Sequence, residues 1–282
     1  MRHLASTFAA LVSMVAAAPA EAVLINNGLA PPNPANVIDG YISESVSVHN
    51  ADCDEGPPCS APGAPTSVLL RGSVLPDLGM GGLYVHESSS VTIADGGVDG
   101  DVVAFDSSTV LLLNGGVNYF LVSTGSASIT MSGGNVGGIY VQDAASATIS
   151  GGSIDSWIIA SGSSKVTMSG GWLAEGHQIV AEDSATIRIF GTGFAVGGTP
   201  VGYGPIAASE GYLTGTLLAG SPIVAFVCHR GGGCNPSATG VITLVPEPST
   251  GLLLSFGLVG LAAVRRNKMW HAYPIPSARD PS

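Results

Sequence analysis

The sequence predicts an all-β fold, a parallel β-helix (β-solenoid) of about six coils with 18–24 residues in each. Glycine accounts for 40 of the 282 residues and charged residues for only 10%, a composition typical of short strands joined by many turns. Glycine pairs recur every 18 or 19 residues between Gly96 and Gly171. Between the pairs, apolar and polar residues alternate, which is the pattern of strands with one buried face.

The repeated units share a glycine corner followed by two alternating stretches. A looser unit starts at Gly72, and the following units read GGVDGDVVAFDSSTVLLLN, GGVNYFLVSTGSASITMS, GGNVGGIYVQDAASATIS, GGSIDSWIIASGSSKVTMS and GGWLAEGHQIVAEDSATIRIF. Self-similarity at a short period is the signature of a solenoid. The glycines recur at one phase of the repeat, so we interpret them as corners that require a positive φ.

The alternation also assigns residues to the inside and the outside of the coils. Strands of successive coils stack about 4.8 Å apart, so equivalent residues form columns. We expect these pairs to point inward: Leu111/Leu113, Ile129/Met131, Ala147/Ile149, Val166/Met168 and Ile187/Ile189. We expect a column of outward threonines, interrupted at Leu112: Thr92, Thr130, Thr148, Thr167 and Thr186.

A β-sandwich with regular hairpins is the alternative fold. Hairpin turns favour Asn-Gly and Asp-Gly dipeptides between strands. Asn114-Gly115 and Asp95-Gly96 are dipeptides of this kind. The spacing of the repeats favours the β-helix over this alternative.

The segments outside the repeats divide the chain further. Residues 1–22 combine a basic start, a short apolar run and small residues, so they are predicted to be a signal peptide cleaved after Ala22 or Ala20. We assign 23–66 to a Pro/Ser-rich N-terminal cap or linker, 67–205 to the β-solenoid repeats, and 206–245 to a C-terminal β cap that closes the array.

The C-terminal region combines three features in a fixed order. Pro246, Glu247 and Pro248 come first, and prolines hold a chain in an extended form that a peptidase can bind. An apolar transmembrane segment, 251–264, follows them. Arg265 and Arg266 come next and place the end of that segment on the cytoplasmic side. Residues 246–268 therefore form one functional segment, followed by a tail, 269–282.

This C-terminal order resembles the PEP-CTERM sorting signal of Gram-negative bacteria. The resemblance implies that Pro246, Glu247 and Pro248 are recognised by exosortase, a membrane-embedded transpeptidase-like enzyme, and that Arg265 and Arg266 act as the stop. It also implies an exported protein at the cell surface or outside the cell, transiently anchored in the membrane through 251–264. Members of the family usually end soon after the arginines, so the tail departs from the pattern.

The net charge limits the kinds of molecule that the protein can bind, and the cysteine spacing indicates which disulfides it can form. The formal net charge of −11 excludes a nucleic-acid binder that works through a basic surface. The four cysteines form two C-x5-C pairs, Cys53/Cys59 and Cys228/Cys234. In an oxidising compartment they are candidates for two local disulfides, although the sequence leaves a cross-pairing such as Cys53–Cys234 open.

Carboxylates are the main candidates for further chemistry. Asp95, Asp99, Asp101 and Asp106 could supply oxygen ligands to calcium, but they lack the nine-residue register of stacked calcium loops, so we interpret them as solvated turns. No catalytic, cofactor or metal site is therefore assigned. A polysaccharide lyase or a glycosidase would have to use cations and carboxylates from this set: Arg71, Lys165, Arg188, Asp155, Glu175, Glu182 and Asp183.

These observations predict a non-enzymatic structural protein of the cell surface or extracellular matrix. The family resemblance implies exosortase as a partner and an association with exopolysaccharide or biofilm. The alternative is a secreted carbohydrate-active β-helix enzyme, either a polysaccharide lyase or a glycosidase.

Overall fold

Backbone hydrogen bonds between successive coils build the molecule. The structure, a computed structural model, describes residues 23–25, 36–43, 45–50, 65–74, 82–207, 210–228 and 239–247. Within these residues the regular elements are all β-strands, and most pair in parallel with the strand one coil earlier. The predicted all-β parallel β-helix is therefore confirmed.

The strands are numbered in chain order. They are β1 (Val23–Ile25), β2 (Asn36–Ile38), β3 (Tyr41–Ile42), β4 (Val46–Val48), β5 (Ser67–Leu70), β6 (Ser73–Val74), β7 (Gly82–Val85), β8 (Ser90–Ile93), β9 (Gly97–Val98), β10 (Asp101–Ala104), β11 (Thr109–Leu112), β12 (Gly116–Ser123), β13 (Ser128–Met131), β14 (Asn135–Val141), β15 (Ser146–Ile149), β16 (Ser153–Ile154), β17 (Ile158–Ala160), β18 (Lys165–Met168), β19 (Trp172–Leu173), β20 (Gln178–Ala181), β21 (Thr186–Val196), β22 (Thr199–Pro200), β23 (Gly204–Pro205), β24 (Glu210–Leu217), β25 (Pro222–Cys228) and β26 (Val241–Pro246).

Each coil has three faces joined by three corners. The first face stacks β2, β5, β8, β11, β13, β15, β18 and the start of β21. The second face stacks β3, β6, β9, the starts of β12 and β14, β16 and β19. The third face stacks β1, β4, β7, β10, the ends of β12 and β14, β17, β20 and β25. Strands from residues 23–50 thus pair in the same way as those of the repeats.

The first corner, between the first and second faces, has one glycine in each coil. The column is Gly40, Gly72, Gly96, Gly115, Gly134, Gly152 and Gly171. A Cβ on Gly115 would lie 2.0 Å from the carbonyl oxygen of Gly96. That same oxygen accepts the N–H of Gly116 at 3.1 Å. The coils approach so closely that only glycine fits, and φ at Gly115 is also positive, at 87°.

The inward columns of the first face form the core. They contain Val68/Leu70, Val91/Ile93, Val110/Leu112, Ile129/Met131, Ala147/Ile149, Val166/Met168 and Ile187/Ile189, all buried. The prediction for Leu111 and Leu113 is wrong, because Val110 and Leu112 are the partners of Ile129 and Met131. A shift of one residue exchanges the two faces of a strand, and three consecutive leucines hide the correct phase.

The outward threonine column is largely as predicted, with two corrections. Thr92, Thr130, Thr148 and Thr167 lie in one column. The interruption is Leu111 rather than Leu112, since Leu111 pairs with both Thr92 and Thr130. In the last coil Arg188 pairs with Thr167, whereas Thr186 pairs with Lys165, so Thr186 is not part of the column.

The third corner, between the third and first faces, contains a second column of residues whose backbone has the left-handed conformation. Its members Glu87, Asp106, Gly125, Asp143, Gly162 and Asp183 all have φ between 51° and 69°. A carboxylate in one coil accepts the backbone N–H of the member one coil earlier: Asp106 binds Glu87 at 3.1 Å, Asp143 binds Gly125 at 3.0 Å, and Asp183 binds Gly162 at 3.0 Å. The hydrogen bonds from Thr124 and Gly125 hold the pKa of Asp143 below its ordinary value.

Three aromatic rings from successive coils stack on one another just before the third corner. The rings of His49 and His86 lie 4.2 Å apart and those of His86 and Phe105 lie 4.7 Å apart, nearly parallel in both cases. Buried His49 contacts the Ser47 hydroxyl and the Glu87 carboxylate through its two ring nitrogens. Nε2 of His86 is buried and has no hydrogen-bond partner among the described residues. Burial, followed by the nearby His49, lowers the pKa of His86 to about 4, against an opposing effect of Asp106.

The regular coils end in an antiparallel insertion. After its first four residues β21 continues into a hairpin with β22 and also pairs, antiparallel, with β24, which in turn pairs antiparallel with β25. β25 then returns to the third face, where Gln178 pairs with Phe226 in parallel. β26 pairs with β21 and, antiparallel, with β23. The last coil is therefore completed by residues that lie beyond the hairpin.

We predict that spin labels on adjacent coils will report the strand spacing. Cysteines introduced by Thr130→Cys with Thr148→Cys, or Thr148→Cys with Thr167→Cys, replace direct register partners. Labels there should couple at adjacent-strand distance, about 5 Å between backbones. Separations beyond about 15 Å, three strand spacings, would refute this register.

We also predict that the ring stack makes the protein acid-sensitive. The pKa of His86 in the folded protein lies below its ordinary 6.5. The contribution of neutral His86 to the free energy of unfolding is therefore fully present above pH 6.5 and is lost as the pH drops toward 4, by up to about 3 kcal/mol. His86→Phe keeps the stack with Phe105 and should remove most of this loss in urea unfolding at pH 7.5, 5.5 and 4.5. His177→Phe, outside the stack, is the control, and an equal effect of both variants would contradict the prediction.

Candidate functional site

The C-terminal functional segment begins inside the last strand. Ile242 and Leu244 of β26 point inward and are buried. The backbone N–H of Ile206 donates to the carbonyl of Ile242 at 2.9 Å, and Gly204 is the register partner of Leu244. The strand is thus held by neighbours on the solenoid as far as Leu244.

Pro246 ends this strand. It is exposed, and Glu247 after it is half-buried and outside any strand. Proline lacks the N–H that a further ladder bond would need, and it biases the preceding Val245 toward an extended backbone. The hydrogen-bonded ladder of β26 accordingly ends at Pro246.

The chain divides into two compact units at the same point. The first unit ends at Val245 and the second runs from Pro246 to Ser282. The structure therefore places a unit boundary immediately before the Pro-Glu-Pro sequence. Within the described residues, no helix is both long and apolar enough to cross a membrane.

The fold and the C-terminal segment together define a class of protein: a β-solenoid whose last strand is followed by a separate C-terminal segment. Residues 244–266 match the PEP-CTERM protein-sorting motif. The motif indicates an exported protein that is sorted by exosortase and directed to the cell surface. No curated protein and no solved structure matches the chain.

Several predicted residues lie outside the described part of the chain. These are Pro248, Arg265, Arg266, the segment 251–264, the signal peptide 1–22, the tail 269–282, and Cys53, Cys59 and Cys234. Pro248, Arg265, Arg266 and 251–264 nevertheless fall within the matched motif. Their individual roles stay predictions.

Distances along the solenoid limit the disulfide pairing that the sequence leaves open. Cys228 ends β25, is fully buried and is not a free thiol. From β4 to β25 the third face has seven strand steps, or about 34 Å. Cys53 is three residues beyond Asn50 and Cys59 six before Pro65, which allow at most about 11 Å and 22 Å of extended chain.

Neither reach brings Cys53 or Cys59 to Cys228, because the Cα atoms of a disulfide lie within about 7 Å. The length of the stack therefore disfavours a cross-pairing of Cys228 with Cys53 or Cys59. The two local disulfides, Cys53–Cys59 and Cys228–Cys234, stay predictions.

The four candidate calcium aspartates are not brought together. Asp95 lies at the first corner, Asp99 at the second, Asp101 at the start of the third face and Asp106 at the third corner. Each accepts a hydrogen bond from an adjacent coil: from Asn114, Asn118, Phe120 and Glu87 respectively. Burial raises the pKa of Asp101. Among the described residues, no group of three or more His, Cys, Asp or Glu side chains could hold a metal ion.

The residues considered for lyase or glycosidase chemistry are spread over different faces. Lys165 and Arg188 are exposed on the first face, while Asp155 and Glu175 are exposed at the second corner. Glu182 and Asp183 lie at the third corner, where burial and then the charge of Asp183 raise the pKa of Glu182. Asp183 is itself hydrogen-bonded to the backbone of Gly162.

The sequence places Trp157 and Trp172 in adjacent coils, where they could stack on sugar rings or pack in the core or at the rim, but it does not single out Tyr119, which lies at the second corner. Tyr119 and Trp172 are each 46% exposed, among the most exposed large apolar side chains. The irregular register between Val117 and Phe120 places Tyr119 there. The signal in the sequence was the loss of alternation at Asn118-Tyr119-Phe120, where a period of two fails.

We predict that processing requires the two prolines. Replacing both Pro246 and Pro248 by Ala restores backbone N–H groups and removes the extended bias, so exosortase should no longer bind the segment. The variant should stay in the membrane with its C-terminal tail attached, as read by intact mass and fractionation in the native host. Pro222→Ala, at the start of β25, is the control. Processing of the double variant at the normal rate would contradict the prediction.

We predict that the mature protein has no free thiol. Alkylation without reductant should leave all four cysteines unmodified, and peptide mapping should recover Cys228 linked to Cys234 and Cys53 linked to Cys59. Full alkylation, or a peptide that joins Cys228 to Cys53 or Cys59, would be inconsistent with the axial distance.

Proposed function

We propose that this protein is a structural component of the cell surface or extracellular matrix, which exosortase releases or re-anchors and which associates with exopolysaccharide. The observation that carries the proposal is the continuity of β26 with the sorting motif, since Leu244 belongs to both. A β-solenoid whose last strand continues in sequence into a sorting motif is suited to a scaffold that is placed by its C-terminus.

The use of the carboxylates supports a structural role. Glu87 accepts the backbone N–H of Asn50, and Asp106, Asp143 and Asp183 accept backbone N–H groups of the preceding coil. Hydrogen bonds to charged groups contribute about 1.5–3 kcal/mol when buried, and less at these exposed corners because water screens them. These acids thus stabilise successive corners of the solenoid.

A carbohydrate-active enzyme is the second candidate function. The pKa of Glu182, raised by burial and then by the charge of Asp183, favours it, because this is the direction in which the pKa of a general acid is shifted. Two carboxylates on opposite sides of a scissile bond are required for glycoside hydrolysis. Glu182 and Asp183 are instead neighbours in the chain, and the Asp183 carboxylate already accepts a hydrogen bond from the backbone N–H of Gly162.

Intact-mass analysis combined with fractionation tests the structural proposal. In the native host we expect the mature protein in the surface or matrix fraction, truncated at both ends. In an exosortase-deficient strain we expect the C-terminal segment to remain. Recovery of the protein in the cytoplasm, or the same mass in both strains, would overturn the proposal.

A polysaccharide depolymerisation assay separates the two functions. If the enzyme reading holds, the purified protein releases reducing ends or unsaturated products, and Glu182→Gln abolishes the release. The structural proposal expects no product above the level of a buffer blank.

A further inference from the structure

Three polar side chains form a hydrogen-bonded series on the outer side of the third face, near the N-terminal end of the solenoid. Val46 and Val48 of β4 point into the core, so Ser47 and His49, at the alternate positions, point outward together. The Oγ of Ser47 lies 2.8 Å from Nε2 of His49. Nδ1 of His49 lies 3.2 Å from Oε1 of Glu87, which belongs to the following coil.

These hydrogen bonds determine which nitrogen of a neutral His49 ring carries the proton. An ionised carboxylate only accepts hydrogen bonds, so Nδ1 of His49 donates to Glu87. Nε2 then has a lone pair and accepts the hydroxyl of Ser47. The second carboxylate oxygen of Glu87 accepts the backbone N–H of Asn50 at 3.0 Å, which holds the carboxylate in place. Nucleophile, base and orienting acid therefore follow one another in the order that activates a serine.

The ring beside His49 offers a donor for a developing oxyanion. His86 stacks on His49 with ring centroids 4.2 Å apart. Its buried Nε2 has no hydrogen-bond partner among the described residues. Burial, followed by the nearby His49, lowers the pKa of His86 to about 4, so the ring is neutral at pH 7 and can carry its proton on Nε2. A buried donor without a partner costs free energy until a ligand atom accepts from it.

We propose that Ser47, His49 and Glu87 form a serine-esterase site for small acyl esters. The Ser47 oxygen attacks the carbonyl carbon of the ester while Nε2 of His49 takes the hydroxyl proton. The carbonyl oxygen becomes negative and accepts a hydrogen bond from Nε2 of His86. His49 then gives its proton to the departing alcohol, which leaves the acyl group on Ser47. Water attacks that group, His49 takes a proton from the water and returns it to Ser47, and the carboxylic acid leaves.

The burial of the site determines the size of its substrate. Ser47 is 3% exposed and His49 2%, and Tyr84, the register partner of Ser47 in the next coil, is also buried. A nucleophile enclosed in this way admits an acetyl group better than a long acyl chain. The inference goes beyond the proposed structural role and does not rest on it, because its residues are separate in sequence from the matched motif at 244–266.

Covalent labelling and ester hydrolysis by the full-length protein in mild detergent test the inference. Methanesulfonyl fluoride, a small serine-directed reagent, should modify Ser47, as read by peptide mapping. The protein should hydrolyse p-nitrophenyl acetate with a kcat/KM roughly tenfold or more above that for p-nitrophenyl octanoate. Ser47→Ala should abolish the labelling and the hydrolysis. Ser88→Ala is the matched control, because this hydroxyl contacts the Asn50 side chain at the same corner and should leave both unchanged.

Glu87 acts through His49 and is a positioning residue, so its test separates catalysis from stability. Glu87→Gln keeps the size of the side chain and an oxygen for the Asn50 N–H but removes the charge that stabilises protonated His49. It should lower kcat roughly 100-fold or more with KM unchanged. A purely structural role would lower the unfolding temperature and leave the kcat of the folded protein as it is.

His86→Phe provides a test that leaves Ser47, His49 and Glu87 intact. It preserves a ring in the stack and removes the Nε2 donor, so it should lower kcat about 100-fold. Far-ultraviolet circular dichroism of the parent type shows that each variant is folded. Three outcomes would overturn the inference: no labelling of Ser47 in the parent, equal hydrolysis by Ser47→Ala, or unchanged kcat in both Glu87→Gln and His86→Phe. Normal exosortase processing without ester hydrolysis would overturn this inference alone.

Discussion

The close approach of successive coils at the first corner is the constraint on which the structure depends. At this corner each coil donates a backbone hydrogen bond to a glycine carbonyl one coil earlier, as Asn135 does to Gly115 and Ser153 to Gly134. A Cβ in the column would meet that carbonyl at or below about van der Waals contact, and several members also have positive φ. Because the corner fixes the register of every coil, the side chains on all three faces fall into columns that continue from coil to coil.

How far the sequence predicts the fold follows from this constraint. Where glycines recur every 18 or 19 residues, the coils and most columns can be assigned directly. The assignment fails locally where the corners differ in length, or where the sequence does not show which residues of a strand point inward. Leu111, Leu113 and Thr186 are examples. The strands between 23 and 50 show no period in the sequence, because Gly40 and Gly72 are separated by 32 positions, although they occupy the same column.

The candidate sites divide in the same way. The sorting motif is a contiguous stretch, so its residues can be recognised without the fold, and the match at 244–266 confirms it. The limits on cysteine pairing depend on distances along the stack. Such features become visible only when the register is known. The acids show the reverse effect: Asp95, Asp99, Asp101 and Asp106 are close in sequence, yet the coil distributes them over separate corners and faces.

Strand β26 belongs both to the solenoid and to the start of the sorting motif. A parallel stack that ends with an open strand edge would invite pairing with other chains. Here β26 and β23 are antiparallel partners at Thr243 and Leu244, so the backbone of the last strand is engaged up to the residue where the motif starts. Pro246 then ends the ladder, because proline lacks the backbone N–H that a further hydrogen bond would need. The last strand therefore completes the last coil and overlaps the first residues of the matched motif.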